Sequence, residues 1–295
     1  MAEEALAARL EALWATYRAV AVGQEAALQE IALAELPEAV QQSNAIENST
    51  LSLEQTEAIV AGRTPGGGVA LREVHEVVNL AAVTRDLLAT DRPLTVDLIL
   101  QWHGRLLANL RDDVAGCFRR GHEWVRVGAH LGANPQFVPQ LVEEALERYR
   151  ADDGRHFLDK IAWFHCEFEV IHPFADGNGR IGRVLINHQL LRLGLPPIIV
   201  RAKNRHADYY PLLDRYATTD DHAGMTNLVG LLLAEALHKR LALLTSRRIV
   251  PLPVWAKAVG LKGNVAANKA KRQTIPAFRL RNRWMIAEAA GSVTG

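Results

Sequence analysis

A run of twelve residues near the middle of the chain, His172–Arg183, combines a histidine, a carboxylate, two arginines and a glycine-rich turn. Pro173 ends the helix that precedes the run, and the four residues 176–179, Asp-Gly-Asn-Gly, are typical of a tight turn that opens a new helix. Backbone N–H groups at a helix N-terminus form a favourable binding site for anions. The run therefore indicates a site for a phosphate chain.

The charged side chains of this run suit the transfer of a phosphoryl or nucleotidyl group. Arg180 and Arg183 lie three positions apart on the new helix, so both can face a phosphate chain. Asp176 can hold Mg²⁺, which needs only one or two carboxylates when phosphate oxygens and water complete its shell. His172, at the start of the run and so at the mouth of this phosphate site, can act as a general base. The four-residue turn alone is common in ordinary surfaces, so the prediction depends on the complete run.

The complete run resembles, in every specified position, the signature of the Fic family: His, any residue, Phe, any residue, acid, Gly or Ala, Asn, Gly or Lys, Arg, two residues, Arg. The resemblance covers about residues 40–245. The segment Trp124–Val138 resembles the hairpin flap with which Fic proteins hold a target segment. Tyr209 and Tyr210 resemble a tyrosine pair on the adenine side of the pocket, although residues 217–220 depart from some relatives. His165 lies at the family's spacing before His172, but a histidine within an apolar helix is more often packed than catalytic.

This resemblance implies AMP transfer from ATP, with Mg²⁺, to a Ser, Thr or Tyr hydroxyl of a target protein or of the chain itself. His172 would deprotonate the hydroxyl, and Asp176 would hold Mg²⁺. Doc-type relatives that act as kinases carry Lys where this chain has Gly179, so AMP transfer is favoured over phosphate transfer. The implied nucleotide-binding residues are Gly177, Asn178 (backbone and side-chain amide), Gly179, Arg180 at the β-phosphate, Arg183 at the γ-phosphate, Tyr209 and Tyr210.

An upstream segment, Ser43–Asn48, resembles the family's inhibitory motif: Ser or Thr, three residues, Glu, then Gly or Asn. The resemblance implies that Ser43, Glu47 and Asn48 form an inhibitory helix. Glu47 would make a bidentate pair with Arg183 where the γ-phosphate should lie. In some relatives the same glutamate aligns a water that removes AMP, so deAMPylation stays open as a second activity.

The elements around these motifs are predicted to be helical nearly everywhere. Apolar residues recur at helical spacing, and only Trp124–Val138 alternates, which is typical of a short hairpin. We expect an all-α fold: a Fic helical domain with a small β-hairpin flap, plus a small C-terminal winged helix-turn-helix-like module. The predicted helices cover about 71–88, 96–110, 157–170, 181–193, 209–217 and 225–244, with another near Val142.

The last 45 residues differ in charge from the rest of the chain. The whole chain has 34 basic and 33 acidic residues. Residues 251–295 hold eight basic side chains and one acidic side chain. Residues 255–271 are predicted to form two helices around a Gly turn, which is helix-turn-helix-like. The segment that follows, 272–286, resembles the short wing of excisionase- and MerR-like domains, which implies DNA binding. The alternatives are a solvated basic tail or a protein-docking module. The implied DNA contacts are Asn264, Asn268, Lys269, Arg272, Arg281 and Arg283.

Three domains are therefore expected: an N-terminal helical region with the inhibitory helix (1–70), a Fic catalytic domain (71–250) and the basic module (251–295). The two cysteines, Cys117 and Cys166, have no disulfide or zinc spacing. No signal peptide or membrane span is predicted, which favours a cytoplasmic protein, with a homodimer left open. The competing hypothesis is a DNA-binding regulator that uses the Fic domain to sense ATP or to dimerise.

Overall fold

The computed structural model describes residues 2–127, 130–151, 154–245 and 248–288, and most of this length is helical. It confirms the predicted all-α class with a small hairpin. The helices are α1 (Ala2–Ala21), α2 (Glu25–Ile46), α3 (Leu53–Val60), α4 (Leu71–Ala89), α5 (Val96–Leu107), α6 (Val138–Arg150), α7 (Phe157–Ile171), α8 (Asn178–Arg192), α9 (Tyr210–Thr219), α10 (Ala223–Thr245), α11 (Leu252–Ala258) and α12 (Gly263–Lys271).

The strands are short and form two antiparallel sheets. The first is the expected hairpin, in which Arg126 pairs with Leu131 and Val127 with His130. Its tip, Gly128 and Ala129, lies outside the described residues. The strands are β1 (Arg126–Val127), β2 (His130–Leu131), β3 (Ile249–Pro251), β4 (Ala277–Leu280) and β5 (Arg283–Ala287). The second sheet has the strand order β3-β5-β4.

The chain divides into two compact units, each of them discontinuous in sequence. One comprises 1–33, 194–198 and 227–295, and the other comprises 34–193 and 199–226. The three predicted domains are contiguous segments, so their boundaries stay a prediction. None of the helices in the described ranges has the length and apolarity needed to cross a membrane.

Helices α7 and α8 build the frame of the central run. The face of α7 that includes Phe164 and Phe168 is fully buried, and α8 packs directly against α7. The helix α7 ends at His172, which adopts the left-handed conformation (φ 51°, ψ 63°). Gly177 (φ 81°) then precedes α8, which begins three residues earlier than predicted. A left-handed residue at each end of the six-residue loop 172–177 turns the chain back on itself.

Residues 249–288 contain a small hydrophobic cluster within the first of these units. Helices α11 and α12 pack on the β3-β5-β4 sheet around Trp255, Ala266 and Ile286. A two-residue turn joins β4 to β5, and both of its residues, Arg281 (φ 48°) and Asn282 (φ 65°), have positive φ. This is the turn geometry whose twist matches that of an antiparallel hairpin. The strand β3 that completes this sheet was not expected from the sequence.

Candidate functional site

The loop between α7 and α8 is held by the amide of Asn178. Its Oδ1 accepts a hydrogen bond from the Phe174 N–H at 2.8 Å, and its Nδ2 donates to the Phe174 carbonyl at 2.8 Å. The side chain is 2% exposed. Both ends of the amide thus brace the loop, and its contact with phosphate stays a prediction. The backbone N–H groups of the first turn of α8 have no carbonyl partners within the helix, which is the geometry that suits an anion.

Phe174 lies beneath the loop and is fully buried. The imidazole of His103, from α5, stacks on its ring with centroids 3.7 Å apart. His103 Nε2 donates to the Asp176 carbonyl at 3.0 Å, and Nδ1 accepts from the Gly116 N–H at 3.0 Å. Burial lowers the pKa of His103 to about 4, which agrees with this neutral tautomer. Sequence reasoning missed His103, because one histidine on an apolar helix face looks like an ordinary core position.

A second residue that sequence reasoning missed is Arg119, which is 1% exposed. Its Nε donates to the His172 carbonyl at 2.6 Å, and its Nη2 donates to the Ile171 carbonyl at 2.9 Å and to the Ala133 carbonyl. Its Nη1 donates to the Glu123 carbonyl at 3.2 Å. The guanidinium thus joins the backbone on both sides of the hairpin to the left-handed turn at His172. No charged motif marks it in the sequence, since all of its partners are backbone carbonyls.

The catalytic candidate His172 lies over this turn with its side chain 20% exposed. Its Nδ1 is 3.2 Å from the Glu169 carbonyl, so Nδ1 carries the proton and Nε2 keeps a lone pair. Burial lowers the pKa of His172 to about 4, despite the opposing hydrogen bond to Glu169, and the charge of Arg119 acts in the same direction as burial. His172 is therefore a neutral base near pH 7.

The two arginines of the run have different partners. Arg180 Nη2 donates to Asp176 Oδ1 at 3.2 Å, and the buried Nε of Arg180 has no hydrogen-bond partner in the described part of the chain. Arg183 Nη2 donates to Glu47 Oε1 at 2.9 Å and to the Ser43 carbonyl at 2.9 Å, while its Nε donates to Ser43 Oγ at 3.0 Å. In these hydrogen bonds Glu47 contacts Arg183 through one carboxylate oxygen, whereas the expected pair is bidentate.

The remaining predicted residues surround the same pocket. Tyr209 is 2% exposed, and its hydroxyl lies 2.7 Å from His165 Nε2. The Tyr210 hydroxyl donates to the Ile46 carbonyl at 2.9 Å. Asn48 adopts a left-handed conformation (φ 70°), and its Oδ1 accepts from Arg205 Nη2 at 3.0 Å. Tyr209 is the last residue of a π-helical turn, Arg205–Tyr209, of the kind often found at functional sites, and Tyr210 follows it.

One cavity of about 660 Å³ gathers these groups. Its wall includes Glu47, His172, Gly179 and Arg183, with both tyrosines on one side and Arg126 and His130 of the hairpin on another. A cavity of this size suits a ligand as large as a nucleotide. The predicted DNA contacts, Asn268, Lys269, Arg272, Arg281 and Arg283, lie elsewhere, and all five side chains are exposed.

At Gly179 the backbone of α8 lies close to the Glu47–Arg183 ion pair. A Cβ at this position would collide with Glu47 Oε1 and lie 3.0 Å from Arg183 Nη1. Any larger residue would therefore displace the Glu47–Arg183 pair.

Comparisons with known proteins agree with this geometry. The chain is 34% identical over 179 residues to "Protein adenylyltransferase Fic" of Nematostella vectensis, which covers 59% of this chain and 41% of that protein. It is 34% identical over 177 residues to "Protein adenylyltransferase fic-1" of Caenorhabditis elegans, covering 57% of this chain and 34% of that protein. The chain thus spans less than half the length of these curated relatives.

Solved structures give the same result for the fold. A Fic family protein from Desulfovibrio desulfuricans superposes with a TM-score of 0.69 at 25% identity, over 100% of this chain and 97% of that chain. Fic-1 from Caenorhabditis elegans superposes with a TM-score of 0.63 at 26% identity, over 79% of this chain and 74% of that chain. The Fic/DOC family model matches residues 93–190, which include the whole His172–Arg183 run. The chain therefore contains a Fic/DOC family domain at residues 93–190.

Proposed function

We propose that this chain is a protein adenylyltransferase that moves AMP from ATP to a hydroxyl side chain of a protein and is held in check by Glu47. One observation carries the proposal. His172 and the first turn of α8 face a single cavity in which Glu47 contacts Arg183. The similarity over more than half of the chain to proteins named adenylyltransferases supports it.

In the proposed reaction each step is carried out by a residue of the cavity or of the α7–α8 loop and the first turns of α8. His172 Nε2 accepts the hydroxyl proton as the oxygen attacks the α-phosphorus; the new O–P bond forms while the bond to the bridging α–β oxygen breaks and pyrophosphate leaves. The Nδ1 hydrogen bond of His172 holds the imidazole in the orientation that this transfer needs. Arg180 and Arg183 bind the β- and γ-phosphates, and the N–H groups of Gly177, Asn178 and Gly179 face the phosphate chain.

The residues present fit ATP at this place. The unpartnered Nε of Arg180 is a buried donor without an acceptor, and such donors are rare unless a ligand or water meets them. The space next to Gly179 can accept a phosphate only because this residue has no side chain of its own. A lysine at this position would fill that space, so Gly179 supports AMP transfer rather than the kinase reaction.

Mg²⁺ fits as a partner of the nucleotide. In the described ranges no group of three or more His, Cys, Asp or Glu side chains is placed to hold a metal ion. Asp176 offers one carboxylate that is 33% exposed, which suits a cation that takes its other ligands from phosphate and water. When bound, Mg²⁺ would neutralise phosphate charge. Asp176 would first have to turn from Arg180 toward the cation.

The Glu47–Arg183 contact supports autoinhibition. Arg183 is 7% exposed at its side chain, and it donates hydrogen bonds to both Ser43 and Glu47. Although burial acts against the charged form, Glu47 helps to hold the pKa of Arg183 above its ordinary value. A γ-phosphate has to displace Glu47 in order to reach this guanidinium.

The test is transfer of label from ATP by the Glu47→Gly chain. We expect α-labelled ATP to mark protein and γ-labelled ATP to leave it unmarked, at a rate about tenfold or more above that of the wild-type chain. This gain corresponds to loss of one charge-assisted hydrogen bond of about 1.5 kcal/mol. Arg183→Ala should not reproduce the gain, since it removes the proposed partner of the γ-phosphate as well as the contact with Glu47.

The control is Glu47→Gly combined with His172→Ala, which should transfer no AMP but still bind ATP. Transfer of the γ-label would replace the proposal with a kinase reaction. Equal rates for Glu47→Gly and the wild-type chain, with ATP and Mg²⁺ saturating, would remove the inhibitory role of residues 43–48.

DNA binding by residues 249–288 is a second candidate function. The observation that favours it is the pairing of α12, which exposes Asn268, Lys269 and Arg272, with a tight β4–β5 turn that exposes Arg281 and Arg283. A helix and a hairpin tip that both present cations fit a groove and the adjacent phosphates. Arg279 is excluded from this set, because it bonds to Glu235 at 2.8 Å and stacks on Trp284.

The test is retention of duplex DNA by the full chain at increasing salt. We expect replacement of Arg281 and Arg283 by Ala to weaken binding about equally for all sequences and to reduce the salt slope by about 2. Lys257→Ala, in α11, is the matched control and should have a smaller effect. No retention of DNA by the full chain at low salt would leave this module with a docking or structural role.

A further inference from the structure

Glu169 is a buried carboxyl group of the site that the proposed reaction does not use. It lies one helical turn before His172 on α7, is 4% exposed and lines the cavity. Its Oε2 is 4.0 Å from His172 Nδ1. Its Oε1 has no hydrogen-bond partner in the described part of the chain, which is uncommon for a buried carboxyl oxygen.

The fold of α8 leaves room for this carboxyl group. A Cβ at Gly182 would collide with Glu169 Oε1 and lie 3.0 Å from the His165 ring. The glycine therefore lets Glu169 lie between the two helices, with one oxygen toward His172 and the other over α8. This placement brings a carboxyl group next to the imidazole that must become charged during the reaction.

His172 needs a nearby negative charge when it accepts a proton. Its environment favours the neutral form, because burial and the charge of Arg119 both lower its pKa. Its Nδ1 is bonded to the Glu169 backbone carbonyl, which orients the ring but carries only a partial charge. A carboxylate 4 Å from the ring would favour the imidazolium.

The protonation of Glu169 depends on the groups around it. Burial raises its pKa to about 8, Arg183 acts in the opposite direction, and the charge of Glu47 adds to the rise. Removal of Glu47 therefore favours the ionised form. The titratable groups that face Glu169, from its own helix and from the elements packed against it, are His165, Cys166, His172, Arg183, Glu47 and Tyr209.

We infer that Glu169 is a positioning residue for His172, whose ionised carboxylate stabilises the imidazolium formed when His172 takes the proton of the acceptor hydroxyl. The inference rests on the proposed AMP transfer and assigns to Glu169 no bond to ATP or to the acceptor. Departure of Glu47 from Arg183 favours the ionised carboxylate of Glu169 and so the effective form of this pair.

The test is the pH profile of AMP transfer by the Glu47→Gly chain, with and without Glu169→Gln. With Glu169 present, we expect the rate to rise between about pH 6.5 and 9 as the carboxyl group ionises. With Gln, this rise should be absent and the rate at pH 9 should fall on the order of tenfold, whereas the KM for ATP stays within twofold. Glu167→Gln, on the same helix, is the matched control and should keep the parent profile.

A further variant separates positioning from folding. Glu169→Asp keeps a titratable carboxyl group, and we expect a lower rate but a retained rise with pH. An unchanged profile in an active Glu169→Gln chain would overturn this inference and leave the proposed function intact. Absence of AMP transfer from the Glu47→Gly chain itself would overturn both.

Discussion

Individual side chains of the site are held in defined ionisation states by burial and by specific partners. His103, His165 and His172 are neutral because burial lowers the pKa of each well below its ordinary range. Arg183 keeps its charge in a buried position because Ser43 and Glu47 supply acceptors. Shifted pKa values of this kind are typical of sites that bind or transform a ligand.

His165 gives a prediction about stability and pH. Burial, assisted by the charge of Arg183, lowers the pKa of His165 to about 3 in the folded chain, against about 6.5 when unfolded. The unfolded state binds the proton more readily, so the contribution of His165 to stability is present above pH 6.5 and declines as the pH falls toward 3. Between pH 8 and pH 5 we expect a loss on the order of 2 kcal/mol from this residue.

The measurement is urea unfolding of the wild-type chain and His165→Asn at both pH values. The variant should be less stable at pH 8, because it loses the contact with the Tyr209 hydroxyl, but it should lose about 2 kcal/mol less between pH 8 and pH 5. Equal pH dependence of the two chains would show that His165 does not titrate with unfolding.

At the scale of elements, the hairpin and the α7–α8 loop are joined by one buried guanidinium. Arg119 donates to carbonyls at Glu123 and Ala133, at the two ends of the hairpin segment, and at Ile171 and His172. A planar group with five donors in a fixed geometry can hold these carbonyls together, whereas an ammonium group cannot. The separation between the hairpin and His172 is thus set by Arg119.

Arg119→Lys should therefore impair transfer without affecting nucleotide binding. In the Glu47→Gly background we expect the rate of AMP transfer to fall about tenfold or more, with the affinity for ATP within about twofold, since Arg119 contacts none of the proposed phosphate ligands. The exposed neighbour Arg120 supplies the control, because Arg120→Lys should behave as the parent chain. Retention of the full rate by Arg119→Lys would contradict this role.

At the scale of the whole molecule, the two candidate functions fall in different compact units. The proposed nucleotide contacts lie within 34–193 and 199–226, and the exposed cations of α12 and the β4–β5 turn lie within 227–295. A ligand shifts a conformational equilibrium only when it interacts differently with the two states. Separate units make separate functions the simpler arrangement.

We accordingly expect saturating ATP to change the affinity for duplex DNA by less than about twofold in the Glu47→Gly chain. Fluorescence anisotropy of labelled DNA, with and without ATP and Mg²⁺, is the measurement. A shift of tenfold or more, about 1.4 kcal/mol of coupling, would instead favour a DNA-binding regulator that senses ATP.

The sequence by itself determined the chemistry of the central run and the helical class. Arg180 and Arg183 are one helical turn apart whatever the rest of the chain does, and a Gly-rich turn before a helix exposes N–H groups through local geometry alone. These features depend on residues close in sequence, so spacing was sufficient to predict them.

The tertiary structure alone decided which partner each side chain takes. Glu47 and Arg183 are 136 residues apart in the chain, and only the packing determines that Ser43 and one oxygen of Glu47 both accept from the guanidinium. The roles of Arg119 and Glu169 were likewise invisible, because a carbonyl acceptor or a buried carboxyl group leaves no pattern in the sequence. A hydrogen bond depends on distances of a few tenths of an ångström, and spacing along the chain does not specify such distances between elements.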